Sequence, residues 1–271
     1  MSAAPNKDSK TRLDKLLVDR GLVPSRERAQ ALILAGKVLV NEQKVEKSGA
    51  SIDPASTIRL LGDDLKYVSR GGLKLEKALQ HWQIDVRGKT CLDVGASTGG
   101  FTDCLLQHGA ARVIAIDTGY GQLDFRLRND PRVRLLEKTN ARYLTASQIE
   151  ETASDALPNA ASRHASIAVI VMDVSFISAT LVLPAVIAAA LPVEKASRAG
   201  CQIVVLVKPQ FEAGREHVGK GGIVRDEQAQ LDALEKVRQC LLAEGCTRTD
   251  SIDSPILGAE GNREFLLLAV F

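Results

Sequence analysis

Apolar and polar positions change rhythm near residue 66. Before it, "TRLDKLLVDRGLV" sets Leu13, Leu16, Leu17 and Leu22 at helical spacing and closes at Gly21. A second helix starts near Pro24-Ser25 and stops at Gly36, followed by a short strand "VLV", a turn "NEQK" and another short strand "TIRLL" (57–61). Helix, helix and small sheet predict a compact α+β unit over 11–62, behind a disordered tail (1–10) and ahead of a linker (63–68). From Thr90 strands and helices alternate: "TCLDVGA" (90–96), a helix (98–109), "ARVIAIDTG" (111–119), "VRLLE" (133–137), "ASIAVIVMDVSF" (165–176), an alanine-rich helix (179–193), a strand (202–207) and an amphipathic helix (226–245). Such alternation predicts a parallel, doubly wound sheet over 69–271. "RTDSIDSPI" and "REFLLLAVF" flank a turn with no room for a helix, so an antiparallel hairpin ends the chain, unlike most nicotinamide-binding Rossmann domains.

Composition narrows the class. The net charge of +2 hides an asymmetry, because residues 1–80 carry 15 Lys and Arg against 10 Asp and Glu. A basic leading unit suggests a polyanionic partner. Arg12, Lys15, Arg26, Arg28 and Lys37 flank its helices and are the candidate contacts. Five cysteines at irregular spacing predict a reducing compartment and no zinc site. The N-terminus has no apolar signal segment. The longest apolar run, 179–193, contains Pro184 and Pro192 and is shorter than the roughly 20 residues of a membrane span. The expectation is a cytoplasmic protein with no membrane association and no metal.

"LDVGASTGGF" follows the first strand and opens a helix, the arrangement in which glycines admit a ligand to backbone and helix N–H groups face it. From Gly95 the run is G-A-S-T-G-G, not GxGxxG, since Ser97 replaces the second glycine. Asp93 lies two residues ahead, where it could meet an ammonium. Asp117 ends the second strand, where an acid binds ribose hydroxyls. A glycine turn between two acids fits S-adenosylmethionine better than NAD, with Asp93, Gly95, Ser97, Thr98, Gly99, Gly100, Phe101, Asp117 and Asp173 as candidate contacts. "GREHVGKGG" has P-loop spacing, but Gly221 replaces the Ser/Thr that would hold magnesium, and a glycine-rich surface or active-site loop is the better reading.

Four polar residues stand where their elements should converge: Lys74 at a helix start, Asp173 and Lys208 at strand ends, and Glu264 beginning the last strand. Two lysines and two carboxylates balance charge in a partly buried cleft. A lysine beside another cation and a sulfonium is pushed toward use as a base. It could deprotonate or orient a ribose 2′-hydroxyl. Phe176 reads either as a stacking surface for an unstacked base or as a core residue, and Arg70 either as a phosphate contact or as a solvated side chain.

These motifs carry a resemblance. From about Arg12 to Phe271, "YVSRGGLKL", "DVGASTGGFTDCLLQHGA", "DVSFIS", "LVKPQFE" and "GNREFLLL" resemble the TlyA family of haemolysin-like proteins and ribosomal-RNA 2′-O-methyltransferases. Residues 12–45 look like the RNA-binding domain shared with a small-subunit ribosomal protein and pseudouridine synthases. The second domain is similar to the FtsJ-type fold, which implies an α/β class I (Rossmann-like) methyltransferase with a seven-stranded, mostly parallel sheet and a C-terminal antiparallel hairpin. That fold's Lys-Asp-Lys-Glu tetrad maps onto Lys74, Asp173, Lys208 and Glu264. The resemblance implies S-adenosylmethionine as cofactor, ribosomal RNA or ribosomal subunits as partner, and a cytidine 2′-hydroxyl as acceptor. FtsJ-type enzymes usually read G-A-x-P-G-G, and Ser97-Thr98 depart from that as TlyA-like sequences do. A ribosome-assembly factor using the pocket structurally is the alternative. A membrane-active role, suggested by the haemolysin name, is disfavoured by the absence of a span or a strongly basic amphipathic helix.

Overall fold

The computed structural model describes residues 10–23, 25–61, 66–154, 167–258 and 261–271. Residues 1–9 of the expected tail (1–10) and residues 63–65 of the expected linker (63–68) lie outside these residues. The chain divides into two compact units, Met1–Asp64 and Leu65–Phe271.

The smaller unit runs β1 (Thr11–Arg12), α1 (Leu13–Asp19), α2 (Arg26–Leu34), β2 (Val38–Val40), β3 (Gln43–Lys44), β4 (Ser51–Ile52) and β5 (Ile58–Leu60). Leu13, Leu17, Ala29, Ile33 and Val38 form its buried core. Ser25 caps α2 by accepting the Arg28 N–H. β2 is the centre of the sheet β3-β2-β5, and β1 pairs antiparallel with β4. "NEQK" is only half a turn. Asn41 and Glu42 take left-handed φ values of 51° and 63°, which suits a tight hairpin, and Gln43–Lys44 return as β3.

The larger unit runs α3 (Gly71–His81), β6 (Thr90–Val94), α4 (Gly100–Gln107), β7 (Arg112–Ile116), α5 (Phe125–Arg128), β8 (Val133–Leu136), α6 (Ala146–Ser154), β9 (Ile167–Met172), α7 (Leu183–Ala190), β10 (Gln202–Val207), α8 (Pro209–Glu212), α9 (Glu227–Ala243), β11 (Arg248–Asp253) and β12 (Phe265–Val270). Its seven strands lie in the order β11-β12-β10-β9-β6-β7-β8. β12 is antiparallel to β10 and β11, and the pairings among β10, β9, β6, β7 and β8 are parallel. β9 is apolar throughout, and β10 is apolar after Gln202, because both faces are covered. One face packs on α7 and α9, the other on α3 and α4.

The fold is therefore the mostly parallel seven-stranded sheet with a C-terminal antiparallel hairpin. The alanine-rich run is shorter as a helix than its composition suggests. A 3₁₀ turn at Ala179–Leu181 precedes α7, and Leu191 is extended ahead of Pro192. Among the described residues no helix is long and apolar enough to cross a membrane. The strand order reverses between β6 and β9, so the carboxyl ends of those strands and their neighbours frame a cleft.

Candidate active site

β6 hands over to α4 through a turn that only small residues can make. Gly95 has φ 87°, and a Cβ there would meet the Asp173 carbonyl oxygen at 2.5 Å. Ser97 is also left-handed, at φ 50°. The Asp117 carboxylate holds the turn, since Oδ2 accepts the Ser97 N–H at 2.7 Å and Oδ1 accepts the Gly119 N–H at 2.6 Å.

Two cavities open at this end of the sheet. The larger, about 490 Å³, is lined by Gly95, Ser97, Asp117, Asn140, Asp173 and Phe176 among others. The smaller, about 300 Å³, includes Arg70, Lys74, Thr98, Phe101, Lys208 and Leu257. Gly95, Ser97, Asp173 and Ser175 line both, so the cavities share a wall.

The four expected polar residues form two ion pairs. Lys74 Nζ lies 2.5 Å from Glu264 Oε2, both side chains buried. Lys208 Nζ lies 2.5 Å from Asp173 Oδ1 and donates to Ser175 Oγ at 2.7 Å. Lys74, Asp173 and Lys208 line the smaller cavity, and Glu264 reaches it through Lys74.

The expected cofactor residues divide. Gly95, Ser97, Asp117 and Asp173 line the larger cavity, while Thr98, Gly100 and Phe101 line the smaller. Gly99 lines neither. It caps α4 in a left-handed conformation against Leu123 and Leu127. Asp93 is fully buried behind the wall. Its Oδ2 accepts the Thr102 hydroxyl at 2.6 Å, and its Oδ1 has no partner. The sequence reading missed Thr139 and Asn140, which line the larger cavity just past β8. The rule that strand ends carry sites would have found them had it been applied to β8.

Burial, partly offset by the Thr102 hydrogen bond, pushes the Asp93 carboxyl up to about 7. Nearby Asp173 and Asp117 add to the rise. The folded state thus holds a proton that the unfolded chain releases near pH 4. Stability from this group is present below that pH and is lost as pH rises toward 7. Asp93→Asn should remove that loss, of which about 2–3 kcal/mol falls between pH 5 and pH 7.5, as read in urea unfolding at those two values. An unchanged pH dependence would refute it.

Among the expected RNA contacts, Arg12 and Arg26 come together on Asp14, a fully buried acid the sequence reading passed over. Arg12 Nη2 and Arg26 Nη2 each lie 2.9 Å from its Oδ2, and Gln30 donates at 3.0 Å. The Arg12 hydrogen bond holds this carboxyl well below the usual range, against its burial. An acid inside the apolar run "LDKLL" was the available signal. Lys15 and Lys37 are exposed and Arg28 is half-buried. Arg70 is exposed at the smaller cavity. Phe176 is no core residue. It is 92% exposed, has φ 65°, and packs its ring 5.4 Å from that of Phe211. The P-loop-like run forms a 3₁₀ turn at Arg215–His217, and no helix opens at Lys220, since α9 starts only at Glu227.

This sheet order and this cleft define a methyltransferase-type domain. The FtsJ-like methyltransferase family matches residues 67–271 and the S4 domain matches residues 11–58, and the chain belongs to that methyltransferase family. Its relatives share both domains' length. The 16S/23S rRNA (cytidine-2′-O)-methyltransferase TlyA of Mycobacterium tuberculosis H37Rv is 42% identical over 259 residues, 95% of this chain and 89% of that one. Hemolysin A of Brachyspira hyodysenteriae is 43% identical over 259 residues, 94% of this chain and 98% of that one. A solved structure from Streptococcus thermophilus, provisionally named a hemolysin, is 42% identical with a TM-score of 0.66, covering 96% of this chain and 88% of that one.

Proposed function

We propose that the protein transfers a methyl group from S-adenosylmethionine to a cytidine 2′-hydroxyl of ribosomal RNA. The observation that carries this reading is the meeting of the two cavities at Asp173 and Ser175, beside Lys208.

The larger cavity suits the cofactor. Its volume is in the range of cofactor sites. Each Asp117 oxygen, already accepting one N–H, keeps a lone pair for a ribose hydroxyl. Gly95 leaves backbone where a Cβ would intrude. Asp173, rather than the recessed Asp93, is placed to meet a ligand ammonium. When bound, S-adenosylmethionine supplies an electrophilic methyl on a sulfonium.

The chain's residues then act on the acceptor. Lys208 holds the 2′-hydroxyl and, as base, takes its proton as the oxygen attacks in line. Asp173, 2.5 Å away, stabilises the ammonium that results. Lys74, fixed by buried Glu264, adds positive charge that favours the developing alkoxide. Phe176 offers its exposed ring to the base.

Label from radiolabelled S-adenosylmethionine should enter the RNA of ribosomal subunits that lack the modification. No transfer to any subunit or free ribosomal RNA would refute the reading. The S4 domain supplies phosphate affinity that carries little sequence information. Deleting residues 1–62 should weaken RNA binding while S-adenosylmethionine binding stays measurable by calorimetry. Loss of cofactor binding in that variant would show that the labour is not so divided.

A further inference from the structure

Phe176 and Phe211 come from different loops, one after β9 and one in α8 after β10. Their rings are in contact, with centroids 5.4 Å apart at 52°, so they leave no slot between them and make a shallow, angled notch. Phe176 gains little from burial, since it is nearly fully exposed, and its left-handed backbone is strained for a residue with a Cβ. Such a residue persists only where its surroundings hold it.

What holds it is visible. Glu212, next to Phe211, is buried at 6% exposure. Its Oε1 accepts the Ala179 N–H at 2.6 Å and its Oε2 accepts the Ser178 hydroxyl at 2.5 Å. Those donors close the loop that begins with Phe176. On the other side Lys236 of α9 donates to the Glu212 carbonyl at 2.9 Å, anchoring the pair to a long helix. One carboxylate therefore ties the two ring-bearing loops together.

The notch lies beside the reacting group. Lys208 Nζ is 6.0 Å from the centre of the Phe211 ring. A base is bonded to the ribose carbon next to the one bearing the 2′-hydroxyl, so a single nucleoside can reach both.

We propose that the acceptor base stacks against this notch, on the Phe211 and Phe176 rings, and that Glu212 is the positioning residue that joins their loops. This rests on the methyltransferase reading above. Neither ring carries a hydrogen-bonding group, so the notch supplies stacking without choosing among bases.

The test is methyl transfer to unmodified ribosomal subunits, with kcat and KM separated, alongside S-adenosylmethionine affinity and thermal midpoint. Phe211→Ala should lower kcat/KM for the subunit about tenfold or more, with cofactor affinity and midpoint close to wild type. Phe211→Tyr should retain activity, and Phe211→Leu, which fills space without a π-face, should fail like alanine. Glu212→Gln should also lower kcat/KM, and adding it to a variant that already lacks both rings, Phe176→Ala with Phe211→Ala, should cause little further loss, because Glu212 acts through those two rings. Wild-type activity in Phe211→Leu would reduce the ring to packing. Multiplying losses in the combined variant would make Glu212 merely structural. No label from wild type would overturn the methyltransferase reading and this one together, whereas wild-type label with an active leucine variant would overturn this one alone.

Discussion

Replacing Lys208 by alanine should lower the rate of methyl transfer to ribosomal RNA by about 10²–10⁴-fold, the usual worth of a positioned proton acceptor. S-adenosylmethionine should bind nearly as before, since Lys208 lines only the smaller cavity. The variant leaves Asp173 without its ion-pair partner, but that side chain is 24% exposed and water can solvate it. Lys208→Arg separates two roles. An arginine keeps the charge beside Asp173 but does not deprotonate in proteins. If Lys208 takes the hydroxyl proton, arginine should be as inactive as alanine. If it only orients the ribose, arginine should recover much of the rate. Single-turnover label transfer decides, and more than a tenth of the wild-type rate in the alanine variant would remove Lys208 from the chemistry.

Gly95→Ala should weaken S-adenosylmethionine binding severely and destabilise the fold. Two costs combine there. The backbone is left-handed at φ 87°, and the new Cβ would lie 2.5 Å from the Asp173 carbonyl oxygen. Backbone cannot swing aside as a side chain can. Either the β6 turn or the end of β9 must move, and each forms a wall of the larger cavity. Gly121→Ala is the matched control. It also sits at positive φ, 71°, but its Cβ would meet nothing within 4 Å. That variant should carry only conformational strain, on the order of 1 kcal/mol, with cofactor affinity intact. Calorimetric titration with denaturant unfolding compares them, and equal effects from the two substitutions would show that the close approach at Gly95 is unimportant.

Much of this architecture could be read along the chain, for reasons that particular elements make plain. The strand at 202–207 was bounded to the residue because glycine precedes it and Lys208-Pro209 ends it. Asp173 and Lys208 stood out as polar residues closing apolar runs. Their partners were less legible. Lys74 and Glu264 are 190 positions apart, and no local pattern says that they touch. Asp93 was placed one layer too far forward. The pleat of β6 sends it with Cys91 toward α4, where Thr102 meets it, while Leu92 and Val94 enter the opposite core. Helices α5 and α6 escaped notice because α5 is one turn long and α6 has few apolar residues to set a period. Asp14 was hidden by the usual assumption that a helical acid faces water.

The position of β12 has a consequence for biosynthesis. It follows every other described strand in the chain, yet it lies inside the sheet, with β10 on one side and β11 on the other. While the polypeptide is being made, β10 has a bare apolar edge and β11 has no neighbour until residues 265–270 arrive. Glu264 comes with them, so Lys74 has no counter-ion before that moment. A ribosome carrying this chain stalled at residue 253 would hold most of a sheet and no Lys74–Glu264 pair. Closure of the sheet and assembly of the cleft are thus one late event, and such long-range pairing is slow to form.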